Sequence, residues 1–452
     1  MPEPQPKISY ATHREAARDL PVVDHSDVVV CGAGPAGIAT ALAAARTGAR
    51  VRLLETHGCL GGVWTAGLLT YVLDAHDDGG LMSELIRRLE EAGAKRKGPY
   101  DSEENREKYP WVRNAFVYDP ERMKLLLERM AVEAGVDVRL HTRVCAAGRD
   151  AANRLAVVIS ESKSGREAWA AHAFVDATGD GDLAMQAGCG FDMGHPETGQ
   201  CQPMTMVCLL SGPPADDLAD YVHEKGGSLT KAFEQAGVEP SYSRPVLFHI
   251  RDGLYKIMAN HEYGVSATSA EDITRATINA REEMHRLIDA LAALGGPWSE
   301  LKIVATPSQI GIREGRRIRG RYQVSTEDLI HGARQDDAIC RVTFPVDIHS
   351  TDPKQGKGYG QGNVKSQPYD IPLRALIASD VDGLLMAGRC ISGDFFAHAS
   401  YRVTGNAVQM GQAAGVTAAI AARDRVLPHE VPFPEVRHAL EQLRSIPAGS
   451  RA

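Results

Sequence analysis

The run Gly32-Ala33-Gly34-Pro35-Ala36-Gly37 carries the glycine spacing of a dinucleotide cradle. Gly32 permits a tight turn, Gly34 lets the backbone approach a pyrophosphate, and Gly37 lets a helix pack closely on a strand. The helix that starts at Pro35-Ala36 would aim free N–H groups and a positive dipole end at the phosphates. Glu55 follows at the distance where a carboxylate accepts from a ribose hydroxyl. A second glycine cluster comes next, Gly58-Cys59-Leu60-Gly61-Gly62, then Val63, Trp64 and Thr65. A nicotinamide site has no need of it. FAD does, because the chain must pass the pyrophosphate again before it reaches the isoalloxazine. Asp176-Ala177-Thr178-Gly179 and Ala387-Gly388-Arg389 form a third and a fourth turn, and Gly405-Asn406 opens a helix. Thr56 and Val144 complete the expected cofactor neighbours.

Fewer residues are available for the substrate. His349 can relay the proton that accompanies a hydride, because imidazole titrates near neutrality. The competing reading is an ordinary satisfied polar residue. The segment Arg313-Glu314-Gly315-Arg316-Arg317-Ile318-Arg319 is densely basic in an acidic chain. Either it is a solvated face, or one or two of its arginines, Arg313 among them, reach an anionic substrate or an FAD phosphate. Trp64 either stacks near the ring or belongs to the core. No cysteine has a CxxC partner among the eight, so neither a zinc site nor a dithiol redox pair is expected, and no metal.

These groups need a frame. Residues 27–31 read as a buried strand, 35–47 as an Ala-rich helix and 51–54 as a second strand, a βαβ unit. Asp119-Pro120 opens a helix to about 134, with Asp as N-cap and Pro at the first helical position. Short strands are expected around 136–140, 155–160 and 168–175, and 93–114 as a polar surface loop. A long amphipathic helix is expected over 270–293, a strand near 383–388, and helices over 403–422 and 434–445. The fold class is therefore α/β. A Rossmann-like FAD-binding domain, a parallel sheet with a small antiparallel meander, occupies 25–195 and 371–452. An inserted α+β substrate domain occupies 196–370, and 1–24 is a tail.

Composition limits the alternatives. The chain has 452 residues, 44 of them glycine, and a net charge of −8. An acidic chain with 6% aromatic residues lacks the basic stripe and stacking platforms of a nucleic-acid binder. No apolar run is long enough to span a bilayer and no secretory leader is legible, so a cytoplasmic location is expected.

The segment DVVVCGAGPAGIATALAAARTGARVRLLE resembles the N-terminal FAD fingerprint of oxidoreductases with a glutathione-reductase-like FAD domain. DATGDGD and AGRCISGDFFAHASYRVTGNAVQMGQAAG resemble later motifs of the branch that holds fumarate reductase and succinate dehydrogenase flavoproteins. That resemblance implies FAD as cofactor. It also implies that Arg402 clamps a substrate carboxylate and that His398, four residues earlier, lines the same pocket. Arg402 on an FAD phosphate or a surface acid is the other reading. Arg389 departs from the pattern, standing where the family often has a ribityl-holding Glu. The implied function is hydride transfer between flavin N5 and a small oxygenated, anionic substrate. Electrons then pass through the same pocket by ping-pong or on to a separate, unidentified acceptor, since there is no second GxGxxG unit. The alternatives are an FAD monooxygenase, for which Ser392-Gly393-Asp394 is a partial motif, and a non-redox flavoprotein or electron-transfer subunit. A homo-oligomer is left open.

Overall fold

The structure, a computed structural model, describes residues 12, 15–76, 79–98, 102–222 and 228–445. Most of the expected 1–24 tail, part of the 93–114 loop and the last seven residues lie outside them.

Val28, Val29, Val30 and Cys31 are all fully buried. An unbroken apolar run of this kind suits a strand covered on both faces. It forms the end of strand β1 (Val22–Cys31), followed by helix α1 (Pro35–Arg46) and strand β2 (Val51–Leu54). Helix α2 (Pro120–Glu133) is capped by Asp119, whose Oδ1 accepts from the N–H groups of Glu121 and Arg122. Strands β3 (Asp137–Arg139), β4 (Arg143–Arg149), β5 (Leu155–Ser162) and β6 (Gly165–Asp176) complete the first half of the main sheet. The strand order is β3-β2-β1-β6-β5-β4. The β3-β2-β1-β6 ladders are parallel, while β6-β5-β4 is an antiparallel meander. The α/β class with its meander is as the pattern implied.

Between β6 and the last strand of this sheet the chain builds a second one. Strands β7 (Val207–Ser211), β8 (Val246–Arg251), β9 (Leu254–Met258) and β10 (Lys302–Ala305) pair antiparallel in the order β8-β9-β7-β10. Helix α3 (Ala270–Ala293) covers one face, burying Ala276, Ala280, Met284, Leu287, Ile288 and Leu291 on Cys208, Leu210, Tyr255 and Ile257. The other face sets Val207, Leu209 and Phe248 against Leu68, Tyr71 and Val117 from the first part of the chain. The chain then returns: strand β11 (Leu384–Met386) pairs parallel with β6, and helices α4 (Phe395–Tyr401) and α5 (Thr404–Asp424) follow. Helix α5 lies on α1 so closely that a Cβ on Gly411 or Gly415 would meet the Ala36 or Thr40 carbonyl at 2.2 or 2.3 Å. That contact explains the Ala/Gly composition of both helices.

Several elements differ from the sequence expectation. Strand β1 begins at Val22, inside the expected tail, because Val22 pairs with Ala168 and the Pro21 carbonyl accepts from the Ala168 N–H. Local sequence does not contain that pairing. The 93–114 loop holds a strand, Lys95–Lys97, and a helix, Glu103–Lys108, capped by Ser102. Strand β4 and a helix over Gly80–Glu91 had no reading in the sequence.

Candidate active site

The glycine turns converge on the start of α1. A Cβ on Gly32 would lie 2.5 Å from the Ala177 carbonyl oxygen, so the first turn rests directly on the third. The second turn is tied down by the Gly61 N–H, which donates to the Ala33 carbonyl at 2.7 Å. A Cβ on Gly62 would meet Gly34 Cα at 2.9 Å, and one on Gly388 would meet Ala36 Cβ at 2.9 Å. Gly34 itself has nothing within 4 Å on its Cβ side. Helix α1 has no side-chain cap. An uncapped helix N-terminus with one open glycine face, ringed by three other close-packed turns, fits a pyrophosphate.

Glu55 ends β2 and is buried. One carboxylate oxygen accepts from the Ala33 N–H at 2.6 Å, the other from the His57 N–H at 2.8 Å. Each keeps a lone pair for a hydroxyl. The Thr142 N–H donates to the Glu55 carbonyl, which brings half-buried Val144 alongside, while Thr56 is exposed at the rim. Asp176, pushed up to about 6 by burial, is occupied in holding the third turn through Thr178 and Ala184. Val63 is half-buried, Thr65 donates to the Leu60 carbonyl, and Trp64 is buried edge-on against Tyr118 with its indole N–H unpartnered.

Three further expected cofactor positions have chain partners as well. Arg389 ion-pairs with Asp180 at 3.0 Å and packs on Gly179, leaving its buried Nη1 without a partner among the described residues. The Gly405 N–H donates to the Leu73 carbonyl at 3.2 Å, so its missing Cβ makes room for the 73–74 backbone at the head of α5. The Asn406 side-chain Oδ1 faces His76 Nε2 at 3.0 Å, and its buried NH₂ group has no partner among the described residues.

The second constellation forms around Asp347. Arg402 Nη2 donates to the Asp347 backbone carbonyl at 2.8 Å and lies 3.0 Å from Oδ2. The same Oδ2 is 3.3 Å from His349 Nε2. Burial pushes Asp347 up, but His349, Arg402 and Arg313 together overcome it and hold the carboxyl far below the usual range. The basic run resolves into individual partners. Arg316 pairs with Asp182, Arg317 with Glu314 at 2.6 Å, and Arg319 with Asp192 at 3.6 Å. Arg313 has no carboxylate within ion-pair distance among the described residues; its Nη1 donates to the Pro203 carbonyl and the Thr205 hydroxyl. Enclosure by protein and the nearby Arg402 lower it to about 10. Its side chain is partly accessible all the same.

His349 is pushed down to about 4 by burial and by Arg313. His398, fully buried on α4, has no partner for either ring nitrogen among the described residues. Burial and the surrounding Arg317, Arg402 and Arg389 hold it neutral. The structure thus gathers Arg402, His349 and Arg313 at Asp347. His398 meets them through its backbone carbonyl, which accepts from the Arg402 N–H at 3.2 Å, and through the field of Arg402.

Sequence reading missed three members. Asp347 was legible as Asp-x-His, since residues two apart on an extended segment share a face. His261, whose Nε2 lies 3.0 Å from His349 Nδ1, and Tyr263 beyond it carry no local signal. Two open clefts of about 550 and 530 Å³ lie elsewhere, lined by residues such as His25, Arg154 and Arg425, and Arg46, Arg423 and His438. The eight cysteines are all free.

Comparison with known proteins completes the assignment. The model of the FAD dependent oxidoreductase family matches residues 27–440. The chain belongs to that family: it is an FAD-dependent oxidoreductase, and FAD is its cofactor. No match is found among curated proteins. Among solved structures, a geranylgeranyl bacteriochlorophyll reductase-like protein from Thermoplasma acidophilum is 12% identical, with 93% of this chain and 83% of that one covered and a TM-score of 0.45. A p-nitrophenol 4-monooxygenase from Pseudomonas putida is 11% identical (93% and 85% covered, TM-score 0.47). A flavin-dependent brominase is 13% identical (92% and 83% covered, TM-score 0.49). Likenesses this distant carry nothing about the chemistry of this chain, and the fold stands on its own strand order. Among the described residues no helix is long and apolar enough to cross a membrane.

Proposed function

We propose that the enzyme exchanges a hydride with a small oxygenated substrate that carries one negative charge, held by Arg313 and Arg402. The observation that carries this is the unpaired cation. Arg402 and Asp347 cancel, the histidines are neutral, and Arg313 remains with only neutral acceptors. An enclosed charge without a counter-ion is costly, and sites retain one where a ligand completes the pair. A carboxylate matches the guanidinium fork and would be oriented by it.

FAD, when bound, supplies the hydride donor or acceptor. The chain's own residues do the rest. Gly34 and the head of α1 would take the pyrophosphate, Glu55 the ribose, and the free NH₂ of Asn406 a polar edge of the ring system. His398, with two unpartnered nitrogens, offers a neutral hydrogen bond to the same substrate, and His349 holds the exchangeable proton. The His398-x3-Arg402 spacing supports the likeness to the fumarate reductase branch, and nothing else here does. In this reading 196–370 is the substrate domain, the location is cytoplasmic, and a separate acceptor takes the electrons.

An FAD monooxygenase is the alternative reading, with Ser392-Gly393-Asp394 as its partial motif. Asp394 caps α4 through Oδ1, which accepts from the Ala397 N–H, while Oδ2 accepts from the Thr326 N–H and hydroxyl, so Oδ1 keeps a lone pair. The test is anaerobic mixing of the FAD-loaded protein with 2-hydroxy, 2-oxo and unsaturated carboxylates and their uncharged amides. Bleaching or recovery of the flavin band is expected with acids only, and Arg313→Met should abolish it. Equal response to the amides refutes the anion site. NAD(P)H oxidation accelerated by an aromatic substrate would establish the monooxygenase instead.

A further inference from the structure

Asp347, His349, His261 and Tyr263 form one unbranched chain. His349 Nε2 faces Asp347 Oδ2 at 3.3 Å, His349 Nδ1 faces His261 Nε2 at 3.0 Å, and His261 Nδ1 faces the Tyr263 hydroxyl at 3.1 Å. The two histidines are buried at 6% and 2% exposure, whereas Tyr263 is only half-buried. We propose that this chain is a proton relay, with Tyr263 and His261 as positioning residues that feed His349 from outside. The proposal rests on the anion site described above and adds the route by which its proton is exchanged.

The order of protons follows from the inner end. An ionised carboxylate only accepts, so His349 must carry its proton on Nε2. His349 Nδ1 is then a lone pair, so His261 must donate from its own Nε2. His261 Nδ1 is left as acceptor, and the Tyr263 O–H must point at it. Every hydrogen therefore points inward.

Transfer of the Nε2 proton of His349 to a basic substrate atom reverses the array and turns the Nε2 lone pair on the Asp347 carboxylate, an unfavourable setting that drives the array back once a proton is returned to Nε2. His349 Nδ1 gains the His261 proton, His261 Nδ1 gains the phenolic proton, and the tyrosinate takes one from water. One proton enters and one leaves at each centre, so no charge stays behind. The reversed array needs a new acceptor for the Tyr263 hydroxyl, and the Ser241 carbonyl lies 3.2 Å from it. Both settings of the hydroxyl are thus provided for. Oxidation of a substrate would run the same steps backwards.

The surroundings fix the rings. The backbone N–H of His349 donates to Gln202 Oε1 at 3.0 Å and the backbone N–H of His261 to Ser241 Oγ at 2.7 Å, which fixes the chain that carries both rings. Ser241 is held in turn by Glu283, and Tyr242 packs on both imidazoles. Neutral rings suit a relay, since a doubly protonated imidazole has no lone pair to receive the next proton.

Long-range proton–nitrogen correlation spectra of the FAD-loaded protein, with nitrogen-15 in histidine, test this without a substrate. The spectra of His349→Asn and His261→Asn assign the two rings. At neutral pH both should be neutral with the proton on Nε2. Tyr263→Phe should move His261 Nδ1 toward the position of an unbonded lone pair while His349 keeps its Nε2 proton. A proton on Nδ1 of either ring, or on both nitrogens, overturns the relay. With a turned-over carboxylate, Tyr263→Phe should lower kcat on the order of 100-fold with KM little changed, the lower range for positioned proton transfer. It should also abolish the solvent isotope effect's dependence on more than one proton. Unchanged kcat overturns the relay too. Failure of Arg313→Met to affect acids would strike the anion site and leave the tautomer result standing.

Discussion

Arg313→Met separates a binding charge from a structural one. Lowering a guanidinium from its ordinary value to about 10 corresponds to about 3 kcal/mol of unfavourable burial, at about 1.4 kcal/mol for each factor of ten. Met fills similar space without the charge, so that penalty disappears. The substitution also leaves the Pro203 carbonyl and Thr205 hydroxyl without their donor, a loss of about 1 kcal/mol for each hydrogen bond. These effects nearly cancel, and the free protein should unfold within about 1 kcal/mol of the parent. Arg317→Met is the control. It leaves Glu314 fully buried and unpaired, which costs about 3–5 kcal/mol. Denaturant unfolding of the FAD-loaded proteins, without and with a carboxylate that perturbs the flavin spectrum, measures both halves. At a hundred times its dissociation constant the acid should stabilise the parent by about 2.7 kcal/mol and Arg313→Met not at all. If Arg313→Met is destabilised as strongly as Arg317→Met, Arg313 serves the fold and the anion argument fails.

Gly34→Val should leave unfolding of the FAD-free protein unchanged, because Gly34 has an ordinary φ of −65° and open space at its Cβ, yet weaken FAD at least tenfold by fluorescence titration. Equal FAD affinity would mean that the open face is not the pyrophosphate site. Gly37→Val, by contrast, should fail to fold stably, since its Cβ would sit 1.8 Å from the Gly32 carbonyl oxygen. The acid limb of stability should report His349. Its value in the fold, about 4, lies below the ordinary 6.5, so the unfolded chain binds the proton first. The His349 contribution is complete above about pH 6.5 and is lost as the pH falls toward 4, at most about 3 kcal/mol. His349→Asn should flatten that limb in pH-dependent unfolding, and an unchanged slope would show that His349 is not held neutral.

The cofactor cradle was legible because its parts are local. Each glycine turn announces itself within a few residues, as do the Asp119-Pro120 cap and the 24-residue helix over Ala270–Ala293, which the pattern placed at both ends. Strand β4 and the Gly80–Glu91 helix were not, nor was the strand character of Val22–Asp24, which pairing with β6 imposes.

By itself, then, the amino-acid sequence determined where the chain bends around a dinucleotide, since glycine permits those conformations and approaches whatever lies beyond. It could not rank four arginines within seven residues. Their difference lies in partners brought from elsewhere: Asp182, 134 residues from Arg316, and Asp192 for Arg319. Only the folded chain leaves Arg313 without a carboxylate partner among the described residues. It alone, too, sets His261 against His349 across 88 residues and turns two unrelated imidazoles into neighbours that share a proton. Charge compensation and proton sharing act through space over a few ångströms, and sequence order does not record that distance.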